Sequence, residues 1–415
     1  MSESFNFDPR DLMRKPHKEC PRCKRIAFGV VIVGNRDFHC RCAECGFHSR
    51  NTLPSVRKTI IYLDQFVISN RMLVMSKSEK KVEDFYPALY EKLLKLLRLQ
   101  AIICPYSDGH RNESIVHPSS PEPLRDTYEV FGHSISFKMY EVIKYKQILN
   151  RVDTLLADDA ATVPPVTSRD VLQSDPDIWF DRIRVSVKAF FPDGYLDSLK
   201  CWRDKTHIGI SDLFENVWKK QPERSWEYWR DQEAKGWRTQ FLRGYYQELQ
   251  RVKEIQDGLR IPKTIDDLMP GPIIGLFNEL FAKFRAKVES HEVAEKRISE
   301  FVISDEILDL PFVHIQSALN ATMAKKAASQ VKLPTQGFST DVDSMSCLLP
   351  YCDAMFMDRE IVGLWRDIQS SPSRRLPYDT KVFSMASKTE FLSYLDELEQ
   401  AVPAEQRRYS DEVLG

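Results

Sequence analysis

An α/β fold built on a parallel sheet flanked by helices, interrupted by a large helical insertion and preceded by a small cysteine-rich module, is the architecture this sequence predicts. Three observations predict it. Two blocks, 59–117 and 338–400, alternate short apolar runs with helical periodicity. Between them, patterns from about 126 to 330 are almost all helical. Ahead of both, five of the chain's nine cysteines fall within positions 20–45.

The 415 residues suffice for two or three domains, and a composition 42% apolar and 29% charged is that of a folded protein. Formal net charge is −1, so no global field favours nucleic acid or membrane. Residues 1–58 nevertheless carry 12 Lys/Arg against 6 Asp/Glu, a mild pointer to a polyanionic partner. No stretch approaches the roughly 18 apolar residues of a membrane span, and Met1–Asp8 lacks the apolar core of a signal peptide. The expected compartment is the cytoplasm, with no membrane partner.

Residues 1–50 form the first module. Cys20-Pro-Arg-Cys23 and Cys42-Ala-Glu-Cys45 are two C-x-x-C knuckles with 18 residues between them, the pattern of a zinc ribbon. Cys20, Cys23, Cys42 and Cys45 are the expected Zn²⁺ ligands, with Cys40 a spare and Gly46 suiting the turn after the second pair. A bound ion would fold a unit too small to fold alone. Arg22, Lys24, Arg25, Arg36, Arg41 and Arg50, with Phe38 or Phe47 for stacking, could also meet nucleic acid, and a protein-binding role competes. Residues 51–58 are polar and basic, contain Pro54, and read as a linker.

The first α/β block, 59–117, opens with Thr59-Ile-Ile-Tyr-Leu63, a buried strand that delivers Asp64 at its end. Phe85, Leu89, Leu93, Leu96 and Leu97 predict an amphipathic helix over 83–100. Ala101–Cys104 is a second strand, and 110–116 begins another helix carrying Glu113. Strand, helix, strand in this order implies a parallel pair. The stretch 117–124 is Pro-rich and expected to be irregular. The insertion, 118–337, contains an aromatic stripe at Trp226, Trp229, Trp237, Phe241, Tyr245 and Tyr246. It reads as helix core, or as a base-stacking groove among Arg230, Arg238, Arg243 and Arg251.

In the second block, 338–400, Asp343–Leu349 reads as a helix ended by Pro350 and Asp353–Asp358 as a strand. A helix over 359–370, a last strand at 380–384 and a last helix at 388–400 follow. Each block is too small to cover a sheet alone, so the two are expected to form one domain. Residues 401–415 read as a C-terminal tail.

Carboxylates at the C-terminal ends of parallel strands point into the crevice where open α/β sheets bind ligands. Asp64 and Asp358 sit at such ends, Glu113 lies one or two turns into its helix, and Asp341 and Asp343 stand near a helix start. Several acids there repel one another, and Mg²⁺ or Mn²⁺ is the usual remedy. Each has a structural alternative. Asp64, Asp341, Asp343 and Asp358 could cap helices, and Glu113 could be a solvated helix residue. Asp353 begins its strand, at the opposite edge, and reads as structural. His110 and Ser107 are undecided between a phosphate-binding or carboxylate-orienting role and a hydrogen-bonded core position. An Asp-x-Asp phosphatase motif is missing, because Asp64 is followed by Gln65-Phe66, and no Gly-rich phosphate loop follows the first strand.

On Tyr62-Leu-Asp64-Gln-Phe66, Ser107-x-x-His110-x-x-Glu113, Asp341-Val-Asp343 and Leu349-Pro-Tyr-Cys-Asp353-Ala-Met-Phe-Met-Asp358, with Val382-Phe-Ser384 as last strand, the chain resembles the PIN-like nuclease family. The resemblance covers about 120 residues in two blocks. It departs in the long insertion and in Met357, where the family often has Thr or Ser. It implies Mg²⁺- or Mn²⁺-dependent endonucleolytic hydrolysis of RNA, or of single-stranded DNA, and suggests toxin or antiviral defence roles. The catalytic set would be Asp64, Glu113, Asp341, Asp343 and Asp358, with Asp64, Glu113, Asp343 and Asp358 holding the metal. The insertion could dock a regulatory protein or a second copy. The competing class is a non-catalytic nucleic-acid- or protein-binding module on a degenerate domain.

Overall fold

The computed structural model describes residues 13–14, 17–75, 83–116, 130–180, 195–262, 268–288, 290–329 and 332–414. The Pro-rich stretch at 117–124 and the N-terminal eight residues lie outside them.

The chain is an α/β protein with two four-stranded sheets. The first is antiparallel and formed by β1 (Lys18–Glu19), β2 (Ile26–Val33), β3 (Asp37–Cys42) and β4 (His48–Thr52), in that order. The second is wholly parallel: β5 (Thr59–Leu63), β6 (Ile102–Ile103), β7 (Ala354–Phe356) and β8 (Lys381–Phe383), in the order β6-β5-β7-β8. The two blocks therefore do share one sheet, joined where β5 of the first pairs with β7 of the second. From β5 the chain runs outward to β6 on one side and later returns to β7 on the other. The β5/β7 seam is thus the point where strand order reverses, and there a crevice opens at the carboxyl ends.

Residues 60–63 are all buried, as a strand covered on both faces requires. Alternation divides them. Ile61 and Leu63 meet α1 (Gln65–Met75), α2 (Phe85–Arg98) and, near the C-terminus, α12 (Lys388–Ala401). Seven residues of α2 are buried on that face, and each fully buried leucine contributes roughly 1.5–3 kcal/mol. Gln100, at φ +58, turns the chain from α2 into β6. Ile60 and Tyr62 face the other cluster, which includes residues of α9 (Pro311–Ala327), α10 (Phe338–Leu348) and α11 (Arg359–Ser370). The helix at 311–327, placed by sequence in the insertion, thus covers the sheet itself.

Between α3 (Asp108–Val116) and α9 lie α4 (Tyr140–Leu156), α5 (Tyr195–Asp212), α6 (Trp226–Gln256), α7 (Pro272–Arg285) and α8 (His291–Ile303), with a π-helical turn, Leu213–Trp218, ending α5. Helices α4, α6, α7 and α8 share a core of their own with the start of α9. Trp226, Trp229 and Phe241 of the aromatic stripe are buried, and Trp226 donates to Thr322 Oγ1 at 2.9 Å. Those three rings are helix core and not a stacking groove; Tyr246 is exposed.

The C-terminal residues read as a tail form α13 (Ala404–Leu414). Its Val413 and Leu414 enter the core of the cysteine-rich module, together with Trp179 from the insertion. Gln406 and Ser410 bond the carbonyls of Leu99 and Arg98, each at 2.7 Å. The segment 51–58 is likewise fixed, with Leu53 and Val56 in the same core. Lys58 Nζ donates to the Ile178 carbonyl at 2.7 Å.

Candidate functional site

The cysteine module has the geometry zinc requires. The sulfurs of Cys20, Cys23, Cys42 and Cys45 all lie within 4.8 Å of one another, with Cys20–Cys45 at 3.6 Å and Cys23–Cys42 at 3.7 Å. A tetrahedron with Zn–S bonds of about 2.3 Å has edges of roughly 3.8 Å. Each knuckle closes in the same way. Lys24 N donates to Cys20 O at 2.9 Å and Gly46 N to Cys42 O at 3.1 Å, with φ +62 and +70 at the two donors. The glycine is legible in sequence, whereas the left-handed lysine is not, because only the turn imposes it. Cys40 is buried in the module core and receives Asn51 Nδ2 at 3.9 Å. It stands outside the sulfur cluster. Phe38 is buried as well and is closed to stacking, and Arg25 and Arg50 are engaged by Glu44 and Asp37.

At the β5/β7 seam, Asp64, Glu113, Asp341 and Asp358 line one cavity of about 380 Å³ with Gln65, Ser69, Asn70 and Thr335. Four separate pieces of chain supply these acids. Strand β5 ends at Leu63 and passes Asp64 into the crevice. Its amide holds Phe356 O at 2.9 Å, while its Oδ1 accepts from Gln65 N at 2.6 Å and its Oδ2 from Asp358 N at 3.2 Å. Asp358 follows β7, and its Oδ1 caps α11 through Glu360 N at 2.7 Å. Capping and lining the cavity are therefore both roles of the same carboxylate.

His110, one turn before Glu113, fixes α3 to the end of β5. The His110 ring stacks on Tyr62 at 4.9 Å, its Nε2 meets Leu63 O at 2.7 Å, and its Nδ1 accepts from Ser107 N at 3.1 Å. Burial pushes the imidazole down to about 3. His110 is a neutral bracket between strand end and helix, which settles the choice left open by sequence. Gly109 lets α3 approach α10: a Cβ there would lie 2.9 Å from Ser344 Oγ and 3.0 Å from Tyr140 Oη.

Asp343 does not line this cavity. Helix α10 starts at Phe338, five residues before the start read from sequence, so Asp341 lies in the first turn and Asp343 two positions on. Two helical positions are about 200° of rotation. Asp343 accordingly borders a neighbouring small cavity with Arg203, Trp202 and Glu113, the last of which lines both, and Lys144 Nζ lies 3.4 Å from its Oδ1. Asp341, which sequence placed in the catalytic set but not among the metal ligands, lines the cavity, whereas Asp343, placed in both, does not. Ser69, Asn70 and Thr335 carried no sequence signal, since neutral hydrogen-bonding residues near a helix are common. Asp353 lies at the far end of its strand, where its Oδ2 accepts from Ile60 N at 2.7 Å.

The electrostatics are those of uncompensated acids. Burial, then the Asp358 charge, raises Asp64 to about 6. Burial and then Asp64 raise Glu113 to about 7, with Arg203 opposing. Burial, then Asp64, Glu113 and Asp358, hold Asp341 well above the carboxylate range. Among the described residues, no lysine or arginine lines the cavity. Among the described residues, the cysteines alone bring three or more ligand atoms within 4.8 Å of one another. The carboxylates share a space, not a point. That donor set fits Mg²⁺ or Mn²⁺ held through one or two direct oxygens and otherwise through water, which is how Mg²⁺ commonly binds.

Compared with protein-family models, with curated proteins and with solved structures, the chain matches none. Among the described residues, no helix is long and apolar enough to cross a membrane.

Proposed function

We propose that the protein is a Mg²⁺- or Mn²⁺-dependent endonuclease of PIN-like type, acting on RNA in preference to single-stranded DNA, with a zinc-stabilised ribbon at its N-terminus. The convergence of Asp64, Glu113, Asp341 and Asp358 on one cavity at the strand-order reversal carries this reading. A divalent ion there supplies neutralisation of phosphodiester charge and acidifies adjacent water. The protein's own part is positional. Asp64 and Asp358 are rigid, being tied to each other's strand ends, and suit direct ligation. Glu113, whose carboxyl burial and the Asp64 charge hold up to about 7 in the empty cavity, is placed to ligate the ion or to accept a proton from attacking water. Asp341 adds charge that disfavours the empty cavity. Exposed Arg22, Arg36 and Arg41 on the ribbon offer phosphate contacts.

The test is Mn²⁺-dependent cleavage of labelled RNA and single-stranded DNA, with Asp64→Asn beside the wild type. RNA cleavage by the wild type alone is expected. Equal cleavage by both proteins, or none with any divalent ion, overturns the assignment in favour of a nucleic-acid- or protein-binding module.

A further inference from the structure

A second cavity lies in the helical insertion, away from the carboxylate site. Its volume is about 650 Å³, within the range of small-molecule sites. Helices α6 and α9 and the π-helical turn Leu213–Trp218 form its walls. Such turns recur at functional sites because they displace side chains from helical register. Here the turn carries Trp218.

Trp218, Trp229 and Trp237 contribute rings, whose faces are negative, whereas the Tyr228 ring already carries the Arg224 guanidinium, 4.6 Å from its centroid. Glu233 contributes a carboxylate, one oxygen of which accepts from Asn320 Nδ2 at 2.9 Å. Among the described residues no lysine, arginine or histidine lies within 4.0 Å of that carboxylate, and none lines the cavity. Gln316 presents a buried Oε1 with no hydrogen-bond partner. Such an orphan acceptor costs about 1–3 kcal/mol, and it calls for a donor from the cavity.

Space is kept open as well. Gly236 lies mid-helix in α6 on the cavity wall, and a Cβ there would meet nothing within 4 Å. A helix-interior glycine costs about 1 kcal/mol relative to alanine. Nothing in the packing requires it, and its effect is to leave room.

We infer that this cavity is a binding site for an organic ammonium cation, with the aromatic rings receiving the charge by cation–π contact and Glu233 and Gln316 accepting its N–H groups. Alkylammonium ligands suit aromatic cages with a desolvated carboxylate. A neutral nucleobase would leave the carboxylate without a counter-charge. Because Trp218, Trp229 and Trp237 line the cavity, intrinsic fluorescence reports occupancy directly.

The experiment titrates the full-length protein with spermidine, with butylammonium, and with adenosine and guanosine as neutral controls, reading tryptophan fluorescence and heat of binding. Saturable binding of at least one cation is expected. Glu233→Gln should weaken it tenfold or more while retaining the bond to Asn320, and Gly236→Leu should abolish it with melting temperature retained. No saturable response to either cation overturns the proposal. So do equal affinities in Glu233→Gln and wild type, or binding of a nucleoside in place of the cations. None of these readouts involves RNA cleavage, so the site stands or falls apart from the nuclease reading.

Discussion

The amide of Asp358 donates to Oδ2 of Asp64 at 3.2 Å, across 294 positions of sequence. Strand β5 in turn gives the Asp64 amide to Phe356 O. The two blocks of the sheet are laced at the spot where their acids emerge, so forming the sheet and forming the cavity are one event. The helices between the blocks can vary in content as long as β7 returns beside β5.

That lacing makes a pH prediction. Asp64 titrates near 4 unfolded and near 6 folded. Between those values the folded state holds more protons, so this group's contribution to stability falls as pH rises. Asparagine does not titrate. In buffer free of Mg²⁺ and Mn²⁺, Asp64→Asn, whose amide can accept only one of the two backbone N–H bonds, should gain on wild type by up to about 2–3 kcal/mol between pH 3 and pH 7.5. Comparing the two proteins cancels titrating groups remote from the cavity, including Lys58, which burial pushes down to about 6. Mn²⁺ should then stabilise wild type at pH 7.5 and leave Asp64→Asn unmoved. Parallel urea melts at the two pH values measure this, and a constant difference between the proteins would refute it.

Asp341 and Asp343 should separate cleanly. Asp341→Asn removes a cavity carboxylate and should lower cleavage at least a hundredfold, with stability unchanged or improved at neutral pH, since its charge is opposed by burial and by four acids. Asp343→Asn leaves the cavity intact but strips Lys144 of its partner. The side chains of Lys144 and Asp343 keep 21% and 30% of their surface, so the loss should be about 1–2 kcal/mol, below that of a fully buried pair. Cleavage should remain within a few-fold. Initial rates and melting temperatures for both variants decide it; the reverse pattern would return Asp343 to the site.

The difference between these two acids shows where sequence reasoning stopped. Strand β5 was legible because a run buried on both faces is apolar throughout, and α2 and Arg359–Ser370 because one apolar stripe repeats at helical spacing. The two knuckles were legible because ligand spacing is local. The start of α10 was not. An aspartate ahead of an apolar pattern resembles a cap, but the helix begins after Gly337 with no side-chain cap at all. Tertiary packing of Phe338, which is buried, extends it backward. Nor could periodicity show that Trp179 fills the core of a module over a hundred residues away, with its Nε1 on Pro54 O at 2.7 Å. Such contacts depend on the assembled surface and leave no local pattern.

The last prediction follows from that assembly. The ribbon core is closed by Val413 and Leu414 of α13 and by Trp179, and Arg14 bonds the Val413 carbonyl. The earlier turns of α13 are held to the end of α2, on the same face, by Gln406 and Ser410. One zinc per chain should be found by elemental analysis, lost in Cys42→Ser and retained in Cys40→Ser. A structural zinc site contributes on the order of 10 kcal/mol to a small module, more than its own apolar core can replace. A zinc-selective chelator should therefore remove hydrogen-exchange protection from 26–52 and, with it, from the last turn of α13. The bonds from Gln406 and Ser410 should keep the first turns protected, and β5 and β7 should be unaffected. Protection persisting across the whole of α13 would show that the helix docks on α2 alone and that the ribbon is an independent unit.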